Sequence, residues 1–181
     1  MKLEKGELKN LLEKIHLNLN KLYYIATHDQ KTELYNNIFF KDVFALELDK
    51  AKRGKALSLI IVDIDFFKKI NDSYGHIVAD KILEKVARVL EKEVRKYDIV
   101  ARFGGEEFFI MLPSTALERA KKIAERLRKA VLKDNFLRKY HITTSLGISE
   151  YKKMDNFEKI SKRADKALYR AKETGRNKVC Y

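Results

Sequence analysis

Four acidic side chains stand where an ordinary apolar core would not put them. Asp63 and Asp65 close an apolar run as Val62-Asp63-Ile64-Asp65, and Glu106 and Glu107 follow two glycines in Arg102-Phe103-Gly104-Gly105-Glu106-Glu107-Phe108. The rest of the chain is strongly basic, with 39 Lys and Arg against 26 Asp and Glu and a formal net charge of +13. Acids grouped at the ends of apolar strands inside a basic protein suit a metal-dependent enzyme acting on polyphosphates.

Each acid also has a simpler reading. Side chains alternate along a strand, so Asp63 and Asp65 point the same way if extended geometry persists. A carboxylate after buried residues needs a metal, a cap or a salt bridge. Asp65 alone reads best as the N-cap of the next helix, whereas Asp63 lies too early for that. Glu106 and Glu107 alone read equally well as solvated acids on a Gly-Gly turn. Joined to Asp63 on a neighbouring strand, they make a hard-oxygen site of the kind magnesium takes together with phosphate oxygens.

The elements that must position these groups follow from apolar spacing. Leu57 to Ile64 predicts a buried strand, Asp98 to Phe103 a second strand, Gly104-Gly105 a tight hairpin turn and Glu107 to Leu112 the returning strand, stopped by Pro113. Helices are predicted over Thr32 to Ala51 (apolar at Leu34, Ile38, Phe39, Val43, Leu46 and Leu48), Phe66 to Asn71, Val78 to Val94, Ala116 to Leu132 and Phe157 to Lys172. Asn71 to Gly75 reads as a turn, Ile142 to Ser149 as a strand and Lys178 to Tyr181 as a short last strand. The order predicts an α+β (α/β sandwich) fold: a mostly antiparallel sheet built around βαββαβ, with helices on one or both faces.

Residues 1–26 predict a helix with Leu8, Leu12, Ile15, Leu19, Leu22 and Ala26 at alternating steps of four and three, widened by Leu3 and Leu11. It precedes the globular pattern, so its stripe calls for a partner, and we read it as a parallel coiled-coil stalk rather than a helix packed on its own domain. The expected division is a signalling and dimerisation helix over 1–26 and a domain over 27–181. In a longer parent protein such a stalk could carry a signal from an upstream sensor.

Composition narrows the class. At 181 residues, 45% apolar and 36% charged, the chain is neither disordered nor membrane-spanning. No signal peptide is visible, and Leu57 to Val62 is too short to cross a bilayer. Cys180 is the only cysteine, and His16, His28, His76 and His141 lack zinc spacing. The expected location is the cytoplasm, as a free protein or as the cytoplasmic part of a membrane-attached sensor. The charge attracts nucleotides, nucleic acid or acidic surfaces without choosing among them.

These residues resemble the diguanylate cyclase family, named for its Gly-Gly-(Asp/Glu)-Glu-Phe signature. The match runs from about Thr27 to Val179 through Asp63-Ile64-Asp65-Phe66-Phe67-Lys68-Lys69-Ile70-Asn71-Asp72, Tyr74-Gly75-His76 with Asp80, the Arg102 to Phe108 hairpin, Thr144-Ser145-Leu146-Gly147-Ile148, Ala164 to Lys172 and Gly175-Arg176-Asn177. The resemblance implies a polymerase-palm, ferredoxin-like sheet and the joining of two GTP into cyclic di-GMP across a homodimer. It implies two magnesium ions per site, with manganese as the alternative, held by Asp63, Glu106 and the main-chain carbonyl of Ile64. Glu107 is implied near the attacking ribose 3′-hydroxyl and Asp65 in a supporting or capping part. Lys68, Lys172 and Arg176 are implied as phosphate ligands, with Phe66, Phe67, Gly104 and Gly105 beside the nucleotide. Lys172 and Arg176, four apart, would share one helix-end face.

Asn71 and Asp80 resemble the guanine-reading pair. A carboxylate accepts from guanine N1–H and N2–H, and adenine would leave it unpaired at a cost of about 1–3 kcal/mol. Arg95 and Asp98 reproduce the family's Arg-x-x-Asp inhibitory motif, with five residues between Asp98 and Gly104. It implies product inhibition by cyclic di-GMP, although on a bare helix such a pair is an ordinary salt bridge.

The chain departs from the family at Asp29-Gln30-Lys31-Thr32-Glu33-Leu34-Tyr35-Asn36-Asn37, where the pattern is Asp-x-Leu-Thr-Gly-Leu-x-Asn-Arg. Lys31 replaces leucine, Glu33 glycine and Asn37 arginine, so the turn between stalk and domain is expected to differ in shape. The main rival reading is a catalytically silent GTP or cyclic di-GMP sensor, against which the intact acid set argues. A nucleic-acid-binding palm lacks a basic groove, helix-turn-helix or aromatic stacking signal, so no specific nucleic acid is expected.

Overall fold

In the structure, a computed structural model describing residues 5–181, a 5-stranded sheet of order β2-β3-β1-β4-β5 is sandwiched between helices. The strands are β1 (Leu57–Ile64), β2 (Ile99–Gly104), β3 (Glu107–Pro113), β4 (Thr144–Glu150) and β5 (Val179–Cys180). The helices are α1 (Lys5–Thr27), α2 (Asn37–Lys52), α3 (Phe67–Glu93), α4 (Leu117–Lys133), α5 (Asn135–Lys139) and α6 (Phe157–Glu173). Pairing is antiparallel for β1/β3, β1/β4 and β2/β3, and parallel only for β4/β5. The expected α+β fold with its βαββαβ order is present.

Alternation along β1 makes two cores. Ile60, Val62 and Ile64 join α3, α4 and α5 on one face, while Leu57, Leu59 and Ile61 join α2 and α6 on the other. The stripe of α2 is Phe40, Phe44, Leu48 and Ala51, all buried, whereas Ile38 and Leu46 are exposed by 65% and 64%.

Three boundaries differ from expectation. α2 begins at Asn37 rather than Thr32, because the Asn36 side chain accepts from the Ile38 and Phe39 amides and caps the helix there. α3 is two helices that meet at a kink at Gly75 (φ 76°), so the break expected over Asn71–Gly75 is present but confined to its last residue. The short α5, capped by Asp134, was not anticipated. The leucines of α1 extend away from the domain: Leu8, Leu12, Ile15, Leu19 and Leu22 are 45–63% exposed. Leu3 lies outside the described residues. Among the described residues no helix is long and apolar enough to cross a membrane.

Candidate active site

Asp63 is the last side chain of the β1 row lying beneath α6. Its Cα partners are Glu107 on β3 and Ser145 on β4. Directly opposed residues share a face, so Asp63 and Glu107 are side-chain neighbours. Glu106 stands beside Gly105 in the turn that joins β2 to β3, and the Ile64 amide donates to its carbonyl at 3.4 Å. The last turn of α6 then brings Lys172 Nζ to 2.7 Å from Asp63 Oδ2.

The electrostatics of this cluster are tense. Asp63 is buried, which pushes its carboxyl up to about 6; Lys172 opposes this, and the negative neighbours Glu106 and Glu107 add to it. Burial also raises Glu107, against Lys172 and with Asp165 and Glu106. Three acids thus face one ammonium. Among the described residues no group of three His, Cys, Asp or Glu is arranged to hold a metal alone. The oxygen donors at hand, Asp63, Glu106 and the Ile64 carbonyl, fit a hard cation that draws its remaining ligands from a phosphate chain and water.

Asp65 is not a helix cap. Phe66 occupies the cap position in the left-handed region (φ 58°) with no side-chain cap bond. The Asp65 carboxylate instead accepts from Ser145 Oγ and Thr143 Oγ1, both at 2.7 Å, and from the Asn177 amide at 3.1 Å. It clamps the end of β1 to β4 and to the segment after α6. These partners are far away in sequence, so local pattern could not reveal them.

The other expected residues divide clearly. Phe66 is half exposed, with the Arg176 guanidinium 4.3 Å and Lys69 Nζ 4.8 Å from its ring centre. Phe67 is buried in the core, leaving only its main chain for a ligand. Lys68 is exposed. Lys172 and Arg176 do not share a helix face: α6 ends at Glu173, and Arg176 lies beyond it in the left-handed region (φ 58°). Asn71 Oδ1 lies 3.1 Å from His76 Nδ1, and Asp80 Oδ1 lies 2.5 Å from Lys31 Nζ.

Arg95 and Asp98 form a closed turn. The Arg95 amide donates to Asp98 Oδ2 at 2.9 Å and its guanidinium to the Tyr97 hydroxyl at 3.1 Å. Asp98 Oδ1 is buried without a hydrogen-bond partner, and burial raises the carboxyl above its usual range. A 260 Å³ pocket lined by Tyr35, Glu91, Arg95 and Asp98 adjoins it.

The model of the family described as "Diguanylate cyclase, GGDEF domain" matches residues 26–178. The chain belongs to this family. As a GGDEF protein it is 38% identical over 186 residues to Diguanylate cyclase A of Treponema denticola, covering 97% of this chain and 50% of that protein. It is 39% identical over 159 residues to diguanylate cyclase DgcM of Escherichia coli K12, covering 87% of this chain and 39% of that one. The chain therefore spans about half or less of these curated relatives. Among solved structures, the coiled coil and GGDEF domain of DgcB from Caulobacter crescentus, in complex with c-di-GMP, superposes with a TM-score of 0.89 at 30% identity, over 97% of this chain and 95% of that one. The active GGEEF domain of a diguanylate cyclase from Vibrio cholerae gives 0.76 at 36% identity, over 80% and 95%.

Sequence reasoning passed over how this GGDEF hairpin is braced. Arg102 donates through Nε (3.0 Å) and NH2 (2.8 Å) to the Gly105 carbonyl, and its NH1 lies 3.2 Å from Asp29 Oδ1. Asp29 also accepts from the Thr32 amide and hydroxyl at 2.8 and 2.7 Å. Burial acts to raise Asp29, but Thr32 and Arg102 outweigh it and the carboxyl falls below its usual range. Glu33, in the place of the family's glycine, takes the left-handed backbone (φ 63°), and the turn closes through Asp29 N to Leu34 O at 2.7 Å. The signal was present as the charged pair Asp29 and Arg102 flanking two motifs, but nothing local linked them.

Proposed function

We propose that this chain is a diguanylate cyclase domain that joins two GTP into cyclic di-GMP with release of two pyrophosphates. The observation that carries this reading is the convergence of Asp63, Glu106, Glu107 and Lys172 at one end of the sheet, in a member of the GGDEF family. In each half-reaction the 3′-oxygen of one GTP bonds to the α-phosphorus of the other. The α–β bridging bond breaks, and the hydroxyl proton leaves to a base. Glu107, whose carboxyl burial raises, would take that proton.

Asp63, Glu106 and the Ile64 carbonyl would hold magnesium, two ions per site with manganese as the alternative. Bound there, magnesium supplies charge neutralisation for the triphosphate and a lower pKa for the attacking hydroxyl. Lys172, Lys68 and Arg176 grip phosphates, and the main chain of Phe66 and Phe67 lines their approach. An added Cβ at Gly104 or Gly105 would meet nothing within 4 Å, so this strip of backbone is open to a nucleotide. Asn71 and Asp80 read guanine. Each domain holds one substrate, so two must meet, and the exposed stripe of α1 supports a homodimer that makes the encounter near-unimolecular. Arg95 and Asp98 bind product and restrain turnover; the buried, unpartnered Asp98 Oδ1 beside its pocket supports a ligand there.

The test is incubation of purified protein with GTP and magnesium, with products resolved by chromatography and mass. Cyclic di-GMP from the parent, none from Asp63→Ala and prolonged turnover by Arg95→Ala are expected. Bound nucleotide without turnover in the parent would replace this reading with a silent sensor.

A further inference from the structure

We propose that Lys31 is a base-discriminating residue that donates to the C6 oxygen of the purine held by Asp80. The inference rests on the guanine-binding part of the proposed function and extends it to a residue at which this chain departs from its family pattern.

Position comes first. Lys31 sits in a turn whose frame is pinned at both ends: Asp29 bonds the Thr32 amide and hydroxyl, the Asp29 amide donates to Leu34 O, and Thr32 and Leu34 are buried. Arg102 fixes the same Asp29 to the hairpin. From this frame Lys31 reaches across to α3 and sets its ammonium 2.5 Å from Asp80 Oδ1. The two side chains retain 39% and 38% of their exposure, so the pair lines an open surface rather than a sealed core. Among the described residues Asp80 Oδ2 has no hydrogen bond, and each carboxylate oxygen carries two lone pairs. The ammonium and a ligand can therefore share this carboxylate.

Chemistry decides what shares it. A base that gives N1–H to Asp80 Oδ1 and N2–H to Oδ2 carries its C6 substituent next to N1, on the side of the Lys31 ammonium that Oδ1 holds. In guanine that substituent is a carbonyl acceptor, which an ammonium with three donors can meet. In adenine or 2,6-diaminopurine it is an amino donor facing a cation, which no hydrogen bond relieves. The family's leucine at this position could supply neither the attraction nor the clash. Lys31 therefore adds a second layer of discrimination on the C6 group, separate from Asp80's reading of N1 and N2.

The experiment is equilibrium binding by calorimetry with magnesium, using 3′-deoxy nucleotides that lack the attacking hydroxyl. The parent, Lys31→Met and Asp80→Asn are each titrated with 3′-deoxy-GTP and with the 3′-deoxy triphosphate of 2,6-diaminopurine, after thermal unfolding confirms that all three fold. Lys31→Met should weaken 3′-deoxy-GTP about tenfold, or about 1.4 kcal/mol, and, with the clash at C6 removed, leave the diaminopurine nucleotide bound no more weakly than by the parent. Equal weakening of both nucleotides would make Lys31 a general phosphate attractor, and tighter 3′-deoxy-GTP binding would make it a latch on an idle Asp80; either overturns the proposal. In both cases a loss of binding in Asp80→Asn would leave the cyclase reading standing. Unchanged binding of 3′-deoxy-GTP to Asp80→Asn would remove the guanine site and this inference with it.

Discussion

Gly147 is the position where one methyl group should cost the most. It lies in β4, paired with Ile61 of β1 and Cys180 of β5, directly beneath α6. A Cβ there would stand 2.1 Å from Ala164 O, 2.3 Å from Leu168 N and 2.8 Å from Leu168 Cβ. Two of these three neighbours are backbone, so no rotamer change clears them, and α6 must lift by about 1 Å to restore van der Waals separation. Overpacking of a tight core costs about 1–3 kcal/mol. Backbone against backbone places Gly147→Ala at the top of that range, about 3 kcal/mol. For a chain of this size that lowers Tm by about 6–12 °C. The same lift would draw Lys172 out of hydrogen-bond reach of Asp63, now 2.7 Å away, and a 1 Å displacement of this kind can cost about 100-fold in rate. Thermal and urea unfolding would be run alongside pyrophosphate release at a temperature where the variant is still folded. Gly104→Ala is the stability control, because its Cβ meets nothing within 4 Å. A Gly147→Ala protein within 2 °C of the parent, or one turning over at the parental rate, would refute this account of how α6 is seated.

The pH dependence of stability should carry the signature of Asp63. Its carboxyl rises from 3.8 to about 6 on folding, so the folded state holds an extra proton between these values. The associated stability is present below the unfolded pKa and falls away as pH climbs through about 6, by about 3 kcal/mol. Asp63→Asn should flatten that decline in chelator-treated protein unfolded with urea between pH 4 and 7.5, and an unaltered slope would contradict it. Glu33→Gly should stabilise the fold by about 0.5–1 kcal/mol, since glycine takes φ 63° without the left-handed penalty; denaturant midpoints showing a loss instead would count against the turn geometry. Charging the stripe of α1 with Ile15→Asp and Leu19→Asp should yield a monomer by sedimentation and make the specific rate of cyclic di-GMP formation rise with protein concentration. A variant that stays dimeric would move the interface elsewhere.

The elements with dense, uninterrupted signals were legible in the chain. β1 and β3 are apolar runs with definite ends, the Gly-Gly pair marked the hairpin, and the stripe of α1 followed a single period. α2 was legible as a helix but not in phase. Ile38 and Leu46 look as apolar as Phe40 and Phe44, and only packing on Phe109 and Phe157 decides which row goes inside. Leu34 is buried through the turn before that helix rather than by the helix itself. α5 is too short at five residues for periodicity to show. In the candidate site the acids were legible by type and spacing, but their partners were not. Lys172 on Asp63, Lys31 on Asp80, Arg102 on Asp29 and Ser145 on Asp65 all join residues distant in sequence. Sheet register and helix docking select each of these pairs from 39 cations and many hydroxyls.

Two carboxylates on this scaffold are tuned in opposite directions, and the contrast explains a division of labour. Asp29 is held below the usual range by Thr32 and Arg102 despite its burial, so it stays charged throughout the working pH range. That permanence suits a strut: through Arg102 it fixes the Gly105 carbonyl, and its turn carries Lys31 to Asp80. The strut joins directly to the end of α1. Tyr24 stacks on His28 at 4.2 Å and Tyr35 on Phe39 at 4.4 Å between ring centres, a tilted His28–Tyr35 contact at 4.7 Å joins the two pairs, and the Arg102 amide donates to Tyr35 O at 2.9 Å. Asp63 is the reverse, a buried acid whose charge stays costly even with the Lys172 ammonium 2.7 Å away. With a charged brace beside an acid cluster short of positive charge, the electrostatic tension lies in the cluster rather than in the frame that aims the hairpin.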